Sequence, residues 1–237
     1  VLSVVRARVR AGAAPRRPIQ LIFTADEEAG SGLGARWIVD ERREILEGCQ
    51  EAIGEVGGFS LTVRDDLRLY PIQTAEKGMA WINLVAEGRA GHGSLHHPEN
   101  AITDLSAAVA RIGAYEWPRR VTDPQRAFLD AIAEAFGIDF ATDRLEDSFP
   151  RLGMIARVIG ASISNTANPT MLSAGYKHNV IPSKATAAID GRFVPGGEGE
   201  FYATINELTG DKVRYEVVNH QPSVETQFSG ELVEAMQ

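Results

Sequence analysis

Three consecutive acids, Asp26, Glu27 and Glu28, close the apolar run Ile19 to Ala25 and stand directly before the glycine-rich AGSGLG. Carboxylates at such a place can ligate a divalent cation, take a proton as a general base, or cap the helix that follows. In open α/β sheets, ligand groups gather beyond the carboxyl ends of the strands. Adjacent strand residues point to opposite faces, so two of these acids serve one site only where the chain is already turning; AGSGLG supplies that turn. Glu27 and Glu28 also lie near the amino end of the next helix, whose dipole favours negative charge. The capping reading stays open beside the ligand reading, because Asp26 alone satisfies it. Glu55 has the same address one helical crossover later: it closes an apolar stretch and precedes Gly57 and Gly58. Two neighbouring parallel strands would bring Glu28 and Glu55 together, and a divalent cation would relieve their repulsion. A surface turn residue is the alternative for Glu55.

Of the five histidines, His92 is flanked by glycines in AGHGS, a loop shape that exposes an imidazole. His96 and His97 follow as loop residues, His178 adjoins Asn179, and His220 follows the last strand; none forms HExxH or another compact zinc motif. Gly30, Gly32 and Gly34 match neither GxGxxG nor GxxxxGK[ST], and three carboxylates just ahead would repel a phosphate. A glycosidase pair is a third possibility that the spacing disfavours, since adjacent Glu27 and Glu28 are poorly suited to oppose each other across a sugar ring at about 5 Å or more.

The elements that must position these groups follow from hydrophobic patterning. VLSVVRARVR reads as a helix with arginines on its solvent side, IQLIFTA as a central strand, and GLGARWIVDERREILEG as a helix with Leu33, Trp37, Ile38 and Ile45 on one face. A short strand is expected near Glu51 to Val56. Two more are expected in FSLTVRDDLRLYPIQTAEKGMAWINLVAEG, the last over Gly78 to Glu87. AITDLSAAVARIGAY and DPQRAFLDAIAEAFG read as helices. MIARVIGASIS and SKATAAIDGRFV read as strands separated by the polar loop NTANPTMLSAGYKHNVIP, and GEGEFYATINELTG and KVRYEVVN as a final helix and strand. The order gives a βα-type first block and a small α+β layer, with the final helix and strand returning to the first block.

Composition bounds the reading. The chain has 237 residues, enough for one large domain or two modest ones, and is 44% hydrophobic and 24% charged, so it is globular. A net charge of -8 opposes the basic footprint of a nucleic-acid binder. Arg6, Arg8, Arg10, Arg16 and Arg17 form a solvated edge without aromatic interleaving. No apolar run reaches the roughly 20 residues of a membrane span. The opening segment is no secretory signal and lacks a starting methionine, so the chain is expected to be an internal piece of a longer, cytoplasmic protein. Cys49, the single cysteine, excludes an internal disulfide and is expected to be a buried spectator thiol.

TADEEAGSGLGARWIV, AIGEVGGF, INLVAEGRAGHGSLHHPENAI and YKHNVIPSKATAAIDGRFVPG, in that order and at suitable intervals, resemble the zinc-dependent exopeptidases and amidases that include carboxypeptidase G, the aminoacylases, the dipeptidases and succinyl-diaminopimelate desuccinylase. The resemblance implies an α/β fold, a metallopeptidase-type mixed sheet between helices, with an inserted smaller α+β lid or dimerisation domain. Residues 1–74 and 193–237 would be incomplete parts of the catalytic domain and residues 75–192 the lid. It implies Glu27 as general base, Glu28 and Glu55 each ligating one of two Zn2+ ions (Co2+ or Mn2+ being substitutes), and His92 stabilising the oxyanion across a dimer. Asn179 and Arg192 would hold the substrate's carbonyl or carboxylate, and Asp26 would stay outside direct ligation. The partners implied are a small peptide or N-acyl amino acid and a second copy bound through the lid, with no nucleic acid and no membrane.

That chemistry is coherent in itself. Two zincs lower the pKa of a shared water and polarise a carbonyl, a glutamate moves the proton, and an arginine fork selects a terminal carboxylate. The resemblance also exposes departures. The early HxD motif, the bridging aspartate and the late ligand histidine are not in this chain, and His220 comes too early to be that last ligand. The chain alone is therefore expected to bind zinc poorly and to be inactive. The alternative is a catalytically silent relative whose lid serves as a protein-interaction or dimerisation module.

Overall fold

A computed structural model describes residues 1–56, 59–140, 147, 150, 152 and 154–236. The glycine pair Gly57 and Gly58 lies outside the described residues. Contacts divide the chain into Val1–Ala52 and Ile53–Gln237.

The second unit is built on a four-stranded antiparallel sheet among the described residues. Its strands are β4 (Gly78–Glu87), β6 (Thr166–Ala174), β8 (Lys184–Phe193) and β9 (Val213–Gln221), in the order β6-β8-β4-β9. Period-2 alternation explains it. Ala80, Ile82, Leu84 and Ala86 of β4 and Ala185, Ala187, Ile189 and Phe193 of β8 share the buried face. Helices α3 (Ala101–Ala114) and α6 (Glu198–Thr209) cover it. Leu105, Ala108 and Ile112 recur at helical spacing on α3, as do Phe201 and Ile205 on α6. Gly191 must be glycine here, because a Cβ would fall 2.3 Å from the Phe201 ring and 3.0 Å from the Ala80 carbonyl. Asn100 caps α3, its side chain accepting from the Ile102 and Thr103 amides. Buried Asn165 accepts from the Val194 amide and donates to the Gly197 carbonyl, fixing the passage from β8 into α6.

A second apolar cluster joins α4 (Asp123–Phe136) and α5 (Met154–Ser162) through Leu129, Ile132, Ile155 and Ile159, with Leu61 and Leu69 of the hairpin β1 (Leu61–Arg64) and β2 (Leu67–Leu69) against it. Short ladders add β3 (Ala75–Glu76) with β10 (Val224–Glu225), and β5 (Gly91–His92) with β7 (Val180–Ile181).

Several expectations need correction. MIARVIGASIS is a helix, because Leu152, Ile155 and Ile159 follow a helical period, and a short apolar run alone does not decide between the two states. The segment read as a polar loop contains β6. Its Pro169 is tolerated because the strand lies at the sheet edge, where the register shifts between Pro169 and Met171. The last helix and strand, expected to return to the first block, are built into this sheet: β9 pairs with β4 along its length and α6 packs on the same sheet.

In Val1–Ala52, α1 (Leu2–Arg10) forms as expected, and α2 (Ala35–Glu41) gives way at Arg42 to a 3-10 turn, Arg43–Leu46, so the long helix is broken. IQLIFTA is irregular and exposed, with Phe23 at 67% exposure, and residues 1–52 form no strand ladder. Residues 51–56 are likewise irregular. Cys49 is exposed, its thiol donating to the Gln20 side chain, and is no buried spectator.

Candidate functional site

The acidic run sits on a tight loop. Asp26 adopts a left-handed conformation with φ 67°, its carbonyl accepts from the Ser31 amide at 2.7 Å, and its carboxylate accepts from the Leu33 amide at 2.9 Å. Asp26 thus braces the AGSGLG loop. It does not cap α2, whose N-cap is Gly34 without a side-chain bond. Gly34 closes the loop from the other end, where a Cβ would lie 2.0 Å from the Ala25 carbonyl. Glu27 and Glu28 are left on the exposed outer turn, and the Gly30 amide donates to the Glu27 carbonyl. Neither carboxylate is engaged by a described residue.

His92 and Asn179 are brought together. The β5–β7 ladder sets His92 opposite Val180, and the Gly93 amide donates to the Asn179 carbonyl at 2.9 Å. The glycines around His92 permit these approaches: a Cβ on Gly91 would meet the His97 ring at 2.3 Å, and one on Gly93 would meet the Asn179 backbone at 3.3 Å. The Ser94 amide donates to His92 Nδ1 at 3.3 Å, and Ser94 Oγ lies 2.8 Å from that nitrogen. An Nδ1 that accepts makes the neutral imidazole the Nε2–H tautomer. Ser94, absent from the sequence reading, and His97, read there only as a loop residue, are the supports of this loop; their closeness to the glycines was the available signal.

Arg192 lies elsewhere. The His92 loop follows the end of the sheet where Glu87 pairs with Lys184, whereas Arg192 pairs with Met79 at the opposite end of β8. Eight residue steps along the strand take Lys184 to Arg192, about 27 Å. Arg192 is held by Asp190, Nε donating to Oδ1 at 2.8 Å and Nη2 to Oδ2 at 3.2 Å. Lys77 stands at the same end and donates to the carbonyls of Ala161 at 3.0 Å and Ser164 at 2.8 Å. Burial, followed by the nearby Arg192, lowers its pKa to about 8. Asp190 and Lys77 were both missed in the sequence. Asp190 was visible as the residue two before Arg192 on one strand face; Lys77 carried no signal before its contacts were known. A cleft of about 270 Å³ adjoins this end, lined by Gly54, Val56 and the β3–β10 ladder, and exposed Glu55 sits between its first two lining residues.

The residues present do not by themselves fit a zinc centre. Such a centre takes at least three protein ligands in defined geometry. Among the described residues no group of three or more His, Cys, Asp or Glu side chains converges for a metal, and Glu28 and Glu55 belong to different units of the chain.

Residues 74–208 match the peptidase dimerisation domain of the M20 family. The chain is 26% identical over 237 residues to the N-fatty-acyl-amino acid synthase/hydrolase PM20D1 of Xenopus tropicalis, covering 92% of this chain and 45% of that protein. It is 26% identical over 226 residues to the probable carboxypeptidase S-like 2 of Dictyostelium discoideum, covering 83% and 39%. It therefore spans less than half the length of these curated relatives. Among solved structures, the M20 family metallo-carboxypeptidase Sso-CP2 of Sulfolobus solfataricus aligns with a TM-score of 0.47 at 18% identity, over 69% of this chain and 42% of that one. The di-peptidase Dug1p of Saccharomyces cerevisiae aligns with a TM-score of 0.46 at 13% identity, over 68% and 40%. No helix among the described residues is long and apolar enough to cross a membrane. A mixed α/β fold carrying a separate dimerisation-type domain, with more than half of its length matched by that family, makes this chain a member of the M20 peptidase and amidohydrolase superfamily.

Proposed function

We propose that this chain is part of a longer cytoplasmic homodimer that hydrolyses the amide bond of a dipeptide or an N-acyl amino acid. In this reading Glu28 and Glu55 would each offer one carboxylate to a zinc ion, which would need further ligands and would supply an activated water, and residues 1–74 belong to the catalytic domain. Glu27 accepts the proton of the attacking water and delivers it to the leaving nitrogen. His92 donates from Nε2 to the developing oxyanion, its tautomer held by Ser94. Asn179 contributes beside it, and Arg192 takes the substrate's carboxylate through a planar fork. The relatives named for N-fatty-acyl-amino acids and for carboxypeptidase S support a substrate that combines an amide with a terminal carboxylate.

One observation carries the dimeric form of this reading. His92 lies in the loop beyond the Lys184 end of β8 and Arg192 near its other end, and the strand from Lys184 to Arg192 alone spans about 27 Å, too long for one small substrate to bridge. Two copies related by a two-fold can combine the His92 end of one with the Arg192 end of the other. The test is a substrate panel on the intact parent supplied with zinc, cobalt or manganese, comparing dipeptides with N-acyl amino acids by amine release. Turnover that disappears in Glu27→Ala supports the hydrolase. No turnover of any amide by the wild-type parent favours the silent dimerisation module.

A further inference from the structure

Asp190 and Arg192 lie two residues apart on the sheet face opposite α3 and α6, the face not shared with the core. Their two hydrogen bonds use Nε and one N–H of Nη2. A guanidinium has five donors in a fixed plane, so three remain, two of them on Nη1. We propose, resting on the function proposed above, that Asp190 is a positioning residue: it grips Arg192 by its Nε edge and presents the Nη1 edge to the substrate's carboxylate.

The local charge supports this role. Lys77 and Arg192 are two cations against the single carboxylate of Asp190, and Arg192 and Asp190 act on Lys77 in opposite directions. Lys77 is occupied by the Ala161 and Ser164 carbonyls, so it adds field without competing for the ligand geometrically. The remaining positive charge matches one further carboxylate. Holding the guanidinium in place beforehand removes part of the side-chain entropy that binding would otherwise lose. An ordinary strand-surface ion pair has none of these kinetic consequences, and its loss touches stability alone.

The experiment uses the intact parent and two substrates, an N-acyl amino acid and the same compound with its carboxylate converted to a carboxamide. Asp190→Asn should raise KM for the free acid about tenfold with kcat nearly unchanged and leave the carboxamide unaffected, while Asp190→Glu restores much of the lost affinity. An unchanged KM in Asp190→Asn, or equal losses on both substrates accompanied by a lower Tm, overturns the inference. A wild-type parent that turns over neither substrate, or an Arg192→Ala variant that keeps the preference for the free acid, overturns the proposed function together with this inference. Normal preference in the wild type combined with an indifferent Asp190→Asn overturns this inference alone.

Discussion

Residues 1–52 and the sheet unit are both rich in apolar segments, yet they use them differently. In the sheet unit, Ile82, Leu84, Phe193 and Phe201 are all below 2% exposure, sealed between β-strands and two helices. In residues 1–52 only Gly34 is buried, and Ile19 and Phe23 stand at 65% and 67% exposure. The difference teaches that an apolar run acquires a structure from its neighbours. β4 has a hydrogen-bonded strand on each side, whereas IQLIFTA has none within its unit. The acidic loop is shaped instead by a few short-range constraints, the Asp26–Leu33 bond and the Gly34 contact.

The largest expected effect sharpens that contrast directly. Phe201→Ala should destabilise the sheet unit by about 3–5 kcal/mol in chemical denaturation, and Phe23→Ala should change stability by less than about 0.5 kcal/mol. Equal effects would break the comparison. Next comes a tight contact of the first unit. Gly34→Ala forces a Cβ onto the Ala25 carbonyl and should cost about 2 kcal/mol of local stability, read as faster amide exchange at Leu33. Gly54→Ala, with nothing within 4 Å of the added Cβ, should leave exchange unchanged.

How much was legible in the sequence follows the same division. The strands Gly78–Glu87 and Lys184–Phe193 and the helices over Ala101–Ala114, Asp123–Phe136 and Glu198–Thr209 carry strong periodicity and form as read. MIARVIGASIS failed because a short apolar-rich run satisfies either period, and its choice rests on the tertiary partners Leu129 and Ile132. β6 failed because polar residues and Pro169 hide an edge strand whose ladder is supplied by β8. At the candidate site, the His92–Asn179 pairing follows from glycines that admit close backbone approach. Asp190 and Lys77 escaped notice because their roles are contacts made over strand registers and helix ends, which residue spacing alone does not encode.

Two smaller effects refine the sheet side of the comparison. Asn100→Ala removes the cap of α3 and should cost about 1 kcal/mol in Tm-based stability measurements. Lys77 supplies a pH signature. Its folded pKa of about 8 lies below the ordinary 10.5, so the unfolded chain binds more protons between those values. Stability should therefore rise from pH 8 to 10.5, by less than about 1 kcal/mol once partial solvation is allowed for. Denaturation midpoints measured across that window in wild type and Lys77→Met check it: the rise should be absent in the variant.

The central claim, that the two ends of one sheet attend two different reaction centres, is tested most directly by mixing inactive variants of the intact parent. His92→Ala and Arg192→Ala homodimers should each be impaired. Exchanging their subunits should restore about a quarter of wild-type turnover, because half of the dimers then contain one complete centre. No recovery after verified subunit exchange would mean that His92 and Arg192 act within a single copy or not at all, and would contradict the account.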